Sequence, residues 1–297
     1  FRLTDNGSGL FTDRAINIVG VDELYTFTSP FTFTNAGIYG RTGPTLTQLT
    51  TAYTPTWTDY TSNLNVTAGI QEWTVPKTGS YTIAAYGSGS RTTNKGGYGA
   101  RITGTCTLTK GEVIRILVGQ TAAYQTNGSY HGGGGGTFVV RTPYNTNASI
   151  IVIAGGGGGG HNQGTDANGN ASLTTSGNVG NNNVAGGTAG GAGTMGYGDN
   201  QGAGFFGSTP TAGSFTTGGL GGYRYAGNVI GEGGFGAGGR HGTTHGGGGG
   251  GYSGGGGSAS SPYVGGGGGS YKATFFTVTS EDNTVHDGTG SVTITQL

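Results

Sequence analysis

Charge is scarce in this sequence. Asp, Glu, Lys and Arg together make up 9% of it, against a usual share of about 25%. The 13 basic and 13 acidic residues cancel to a formal net charge of zero. Nucleic acid is therefore not expected as a partner, because phosphate binding needs a basic excess. No Lys/Arg cluster marks a patch for an anionic membrane. Cys106 is the one cysteine, so an intrachain disulfide framework is excluded. No run approaches the roughly 20 apolar residues of a membrane-spanning helix, and membrane insertion is not expected. No signal peptide is legible. The start at Phe1 rather than Met leads us to expect an upstream part. A sustained 3.6-residue apolar period is also missing. No helix is expected, including in the Thr-rich stretch 36–66.

What is abundant is glycine, 72 of 297 residues, about three times the usual share. Disorder is opposed by an aromatic content of 10% that includes 16 tyrosines, and by segments that alternate as strands do. Collagen is excluded, since the glycines lack a G-X-Y period and Pro numbers only 7. Strand-like pieces lie at 15–19, 25–28, 71–76, 80–86, 100–109, 113–119, 137–140, 149–153, 270–276 and 290–295. In 80–86, Tyr81, Ile83 and Ala85 share one face. In 100–109, Ile102, Gly104, Cys106 and Leu108 do. The chain reads as all-β, with a segment 1–66 for attachment or assembly and a glycine-rich domain over 67–297. Within the latter, 161–245 reads as an insertion rich in Asn, Thr and Gly.

The unbroken glycine runs join directly to strands, which is unusual for a linker. A packed alternative is a bundle of polyglycine II helices, extended and left-handed with three residues per turn. Such helices make no internal hydrogen bonds, so every N–H and C=O must pair with a neighbour. Only Gly permits that approach. Ordering each residue costs about 1–2 kcal/mol, while a net hydrogen bond returns about 0.5–1.5. One run alone should stay disordered, whereas a bundle anchored by strands could break even. Gly134, Gly157, Gly248, Gly256 and Gly267 are the representative packed positions.

A family resemblance supports this. Residues 69–83, with Gln71-Glu72-Trp73-Thr74-Val75-Pro76 at their centre, resemble the opening of the glycine-rich domain of anaplastic lymphoma kinase and leukocyte tyrosine kinase receptors. Leu108-Thr109-Lys110-Gly111-Glu112, Ile116-Leu117-Val118-Gly119-Gln120, Tyr252-Ser253-Gly254-Gly255 and Gly265–Gly269 with Ser270-Tyr271 extend the likeness over about 69–297. The resemblance implies a tumour-necrosis-factor-like (TNF-like) β-sandwich, jelly-roll-like, with inserted polyglycine helices. Phe31-Thr32-Phe33-Thr34-Asn35-Ala36-Gly37 looks like the preface of microbial and viral members. Those imply an extracellular or virion-surface protein, of bacterial-surface or phage tail-fibre type.

Catalytic features are not legible. The G-x-G-x-x-G windows precede no helix, so they do not read as dinucleotide sites. Asp166, Asp199, Glu232, Glu281 and Asp282 sit in no suggestive pair context. Cys106 reads as a buried thiol. His241 and His245 are four apart, but surrounding glycines argue against a chelating helix, and the histidines read as solvent-facing. No metal or cofactor is expected, and the chain is not read as an enzyme. The binding candidates are Tyr197, Phe205, Phe206, Tyr223, Arg224, Tyr225, Phe235, Arg240 and His241, with Tyr130, Tyr252 and Tyr263 in the wider aromatic set. Such rings suit sugar or protein surfaces, or else they cover the glycine bundle. The expected function is an adhesin recognising host surface glycan or protein, assembled with other virion or fibre subunits. The alternative is a structural filament or virion subunit, joined through its N-terminal strands. Self-association is left open.

Overall fold

A computed structural model describes residues 22–54, 62–90, 96–122, 131–160, 167–223, 231–242 and 244–297. The strand expected at 15–19 lies outside them, as do Tyr130, Arg224 and Tyr225. Two antiparallel sheets form the framework. The first has five strands. In spatial order they are β1 (Phe31–Phe33), β11 (Ser291–Gln296), β4 (Gly79–Tyr86), β5 (Gly99–Leu108) and β10 (Thr277–His286). The second has six: β2 (Leu64–Thr67), β3 (Ile70–Thr74), β6 (Val113–Leu117), β7 (Thr137–Arg141), β8 (Ile150–Ala154) and β9 (Tyr271–Lys272). The all-β sandwich expectation holds at this level.

The alternation read from the sequence sets which face is buried. Tyr81, Ile83 and Ala85 of β4, Ile102 and Leu108 of β5, and Val292 and Ile294 of β11 meet Trp73, Ile114, Ile116, Val139 and Ile151 of the second sheet. The opposite face of the first sheet carries hydroxyls. Thr295, Thr82, Thr105 and Thr277 stand directly opposite one another across four strands. β-branched polar residues suit such a solvated pleated face.

Three expectations and one omission need correction. Residues 25–28 are not a strand, although Phe27 enters the core. Of 270–276 only Tyr271–Lys272 is a strand, and the chain turns at 274–275 before β10. Strand β10 was not legible, because its side chains are mostly exposed and no apolar face marks it. A helix, α1 (Leu46–Tyr53), stands inside the stretch read as helix-free. Thr45 caps it. The Thr45 N–H donates to Gln48 Oε1 at 2.8 Å, and the Gln48 N–H donates to Thr45 Oγ1 at 3.3 Å, a reciprocal box. Only Leu49 and Tyr53, one turn apart, are buried, too few to set up a visible period. Tyr53 accepts from the Thr34 N–H at 2.8 Å and donates to Gln71 Oε1 at 2.9 Å, closing one end of the core.

The glycine runs belong to neither sheet. They stand side by side, and their bonding changes partner residue by residue. Gly265 and Gly268 donate to Gly159 and Gly156, Gly266 and Gly269 to Gly256 and Ser253, and Gly267 to Asn168. Gly246 and Gly249 donate to Tyr263 and Gly266, Gly247 and Gly250 to His131 and Gly134, and Gly248 to Asn200. Each run thus points its N–H groups in three directions with a three-residue repeat. A Cβ on Gly134, Gly157, Gly248, Gly256 or Gly267 would sit inside the contact distance of a neighbouring backbone carbonyl.

Candidate functional site

The glycine bundle has two ends with different chemistry. One end joins the second sheet, where Gly136 enters β7, Gly155 leaves β8 and Gly269 approaches β9. Near this end Phe205, Phe215, Phe235 and Tyr252 pack onto Ile70, Leu117, Phe138, Val140, Ile150 and Ile153. Phe205 and Phe215 stack at 5.1 Å, and Phe138 stacks on Phe215 at 5.1 Å. This cluster covers the second face of the sheet, which is why all of β8 is buried. The placement of Phe205 and Phe235 among partner-facing residues is therefore corrected. Both rings are fully buried, because a sheet with apolar residues on both faces needs a cover that glycine cannot supply. Phe215, which the sequence did not single out, does the same work. Phe206 is exposed, but it leans on Phe205 at 4.7 Å in this same region.

The far end is where Tyr197, Tyr223 and Arg240 come together. Gly198 and Asp199 have φ of 73° and 53°. Two successive left-handed residues make a tight turn, and it carries Tyr197 on its near side. Tyr197 is 56% exposed and stacks on His245, with ring centroids 4.8 Å apart at 25°. His245 meets Tyr263 edge-on at 5.0 Å. The Tyr197 N–H donates to the Ser258 carbonyl at 3.1 Å. Behind the turn, the Asn200 amide donates to the carbonyls of Gly246 and Ser258, both at 3.0 Å. Arg240 is buried. Its Nε donates to the Gly198 carbonyl at 2.9 Å, its Nη2 lies 3.5 Å from Asp199 Oδ2, and its guanidinium sits 6.0 Å from the Tyr223 ring. Tyr223 is 46% exposed.

His131, His241 and His245 are buried, which corrects their reading as solvent-facing. Burial holds the His245 pKa below the ordinary histidine value, against an opposing hydrogen bond with the Ala259 backbone. The ring at the base of the stack is thus neutral at pH 7. His241 lies beneath the surface, where its backbone N–H donates to the Gly231 carbonyl at 2.9 Å. Among the described residues no three His, Cys, Asp or Glu side chains gather as a metal site. Cys106 is buried, and burial pushes its thiol up to about 11.

Sequence reading missed His245 as the support of the site. One signal was available: His131 directly precedes Gly132, His245 precedes Gly246, and Tyr263 precedes Gly265 by two. These residues begin glycine runs at the far end of the bundle.

No protein-family model matches the chain. A curated relative is the leukocyte tyrosine kinase receptor of Mus musculus, 37% identical over 102 residues. The match covers 31% of this chain and 11% of the receptor's length. It supports a distant relation to the receptor's glycine-rich region. No helix among the described residues is long and apolar enough to cross a membrane.

Proposed function

We propose that this protein is a non-enzymatic adhesin of a cell or virion surface, of phage tail-fibre-tip or bacterial-surface type, that recognises a host surface glycan or protein. In this reading the framework is a TNF-like sandwich and the glycine runs are polyglycine II helices. The three-residue repeat of their hydrogen-bond partners supports the helix assignment. The observation that carries the function is the far end of the bundle. Tyr197 and Tyr223 are exposed there on a backing in which Asn200 and Arg240 are tied to backbone carbonyls. Rigid aromatic anchors of this kind lose little entropy on binding. The glycine runs are scaffold, since their N–H groups are taken up by the carbonyls of other runs and of the segments packed beside them.

The test is binding of the fluorescently labelled protein to a panel of intact bacterial cells. The native chain should bind at least one, and replacing Tyr197 and Tyr223 together by Ala should abolish that binding without lowering the melting temperature. Unchanged binding by the double variant would refute the assignment. The alternative, a filament or virion subunit, is favoured by one observation. Among the described residues strand β1 pairs with β11 alone and stands at the sheet edge, so a neighbouring subunit could add there. Averaged electron-microscope images of native particles separate the two readings. A terminal knob is expected for the adhesin, and subunits repeating along a filament for the alternative.

A further inference from the structure

The geometry points to a neutral pyranose sugar as the ligand of the far-end site, held by the free face of Tyr197 and the carboxylate of Asp199. This rests on the adhesin reading and names its ligand class. One face of Tyr197 is taken by His245, and the remaining exposure belongs to the other face and the ring edge. The stack fixes the ring orientation before any ligand arrives, so binding does not have to freeze a mobile side chain. Two residues on, the left-handed turn presents Asp199, whose side chain is 36% exposed. A pyranose offers an apolar C–H face and a rim of hydroxyl donors. The tyrosine face suits the first, and a carboxylate, an acceptor only, suits the second.

Charge narrows the class. The site sets one carboxylate against the Arg240 guanidinium, which is buried and spends its Nε on the Gly198 carbonyl. An anionic sugar would bring its charge to the exposed Asp199 rather than to the buried arginine, and like charges repel. A protein partner fits less well. Protein interfaces centre on an apolar core within roughly 800 Å² per side. Along the chain Tyr197 is flanked by Met195, Gly196, Gly198, Asp199 and Asn200, of which Met195 alone is large and apolar, and the rings beside it in space, His245 and Tyr263, are packed in the stack that supports it.

Saturation-transfer NMR with neutral manno-, galacto- and gluco-oligosaccharides, and with oligogalacturonate as the acidic counterpart, tests this on the full chain. At least one neutral series should bind the native protein, while oligogalacturonate should not. Tyr197→Ala should weaken that binding on the order of tenfold. Tyr197→Phe should restore most of it, because the ring face remains, and Asp199→Asn should weaken it less than Tyr197→Ala. Failure of every neutral series to bind, or equal binding by Tyr197→Ala, overturns the proposal. Competition on cells separates it from the broader reading. Cell binding that needs Tyr197 and Tyr223 but is not displaced by any neutral oligosaccharide leaves the adhesin standing and removes the sugar. Preferential binding of oligogalacturonate removes the neutral class specifically.

Discussion

Substituting Gly267 by Ala tests the packing of the bundle with a single methyl group. The backbone at Gly267 does not occupy the left-handed region, so Ala meets no conformational penalty there. The obstacle is steric. The new Cβ would overlap the Asn170 carbonyl and lie 2.6 Å from the Ala171 nitrogen. Relief requires the 168–171 segment to move away. That segment accepts from the Gly267 N–H at Asn168 (2.9 Å), and the next segment donates from Asn178 to the Gly267 carbonyl (2.8 Å). Overpacking costs about 1–3 kcal/mol, and weakening two such bonds about 0.5–1.5 kcal/mol each. Lost chain entropy in the unfolded state returns about 0.4–1 kcal/mol. The net destabilisation is about 1–5 kcal/mol. A chain of this size should then melt roughly 2–15 °C lower. The control is Gly79→Ala in β4, where a Cβ meets nothing within 4 Å. Calorimetric melting of the three proteins decides it. If Gly267→Ala melts together with Gly79→Ala, the runs are not packed as described and the scaffold argument falls.

Three other outcomes are expected. Phe235→Ala should cost about 3–5 kcal/mol in denaturant unfolding, because the ring is fully buried on the outer face of the second sheet; Phe206→Ala should cost a small fraction of that. Thr45→Ala should cost about 1 kcal/mol through loss of the cap on α1, read from the denaturation midpoint. Alkaline pH should destabilise the fold. Burial pushes the Cys106 thiol up to about 11 and the Tyr53 hydroxyl up to about 12, and raises Tyr25, Tyr81 and Tyr252 as well. These groups are held protonated in the folded chain. Their contribution is complete below the ordinary thiol and phenol values, and it is lost as pH rises from about 9 toward 12. Guanidinium midpoints that stay constant across that window would contradict the burial of these groups.

Much of the sandwich is legible in the order of residues. The alternation in 80–86 and 100–109 assigned the buried faces of β4 and β5, because a strand with one face in the core must repeat every two residues. The glycine runs likewise announced close backbone approach, since no other residue permits it. What the sequence left open had no local signature. The helix α1 buries two side chains, β10 buries almost none, and neither makes a period. The tertiary structure alone decided which aromatics are free. Phe205, Phe235 and Tyr197 sit in similar glycine-rich contexts. The first two are drawn onto an apolar sheet face, while the third stands at the opposite end of the bundle on His245. The order in which the runs stack settles that difference, and it rests on hydrogen bonds between residues far apart in the chain.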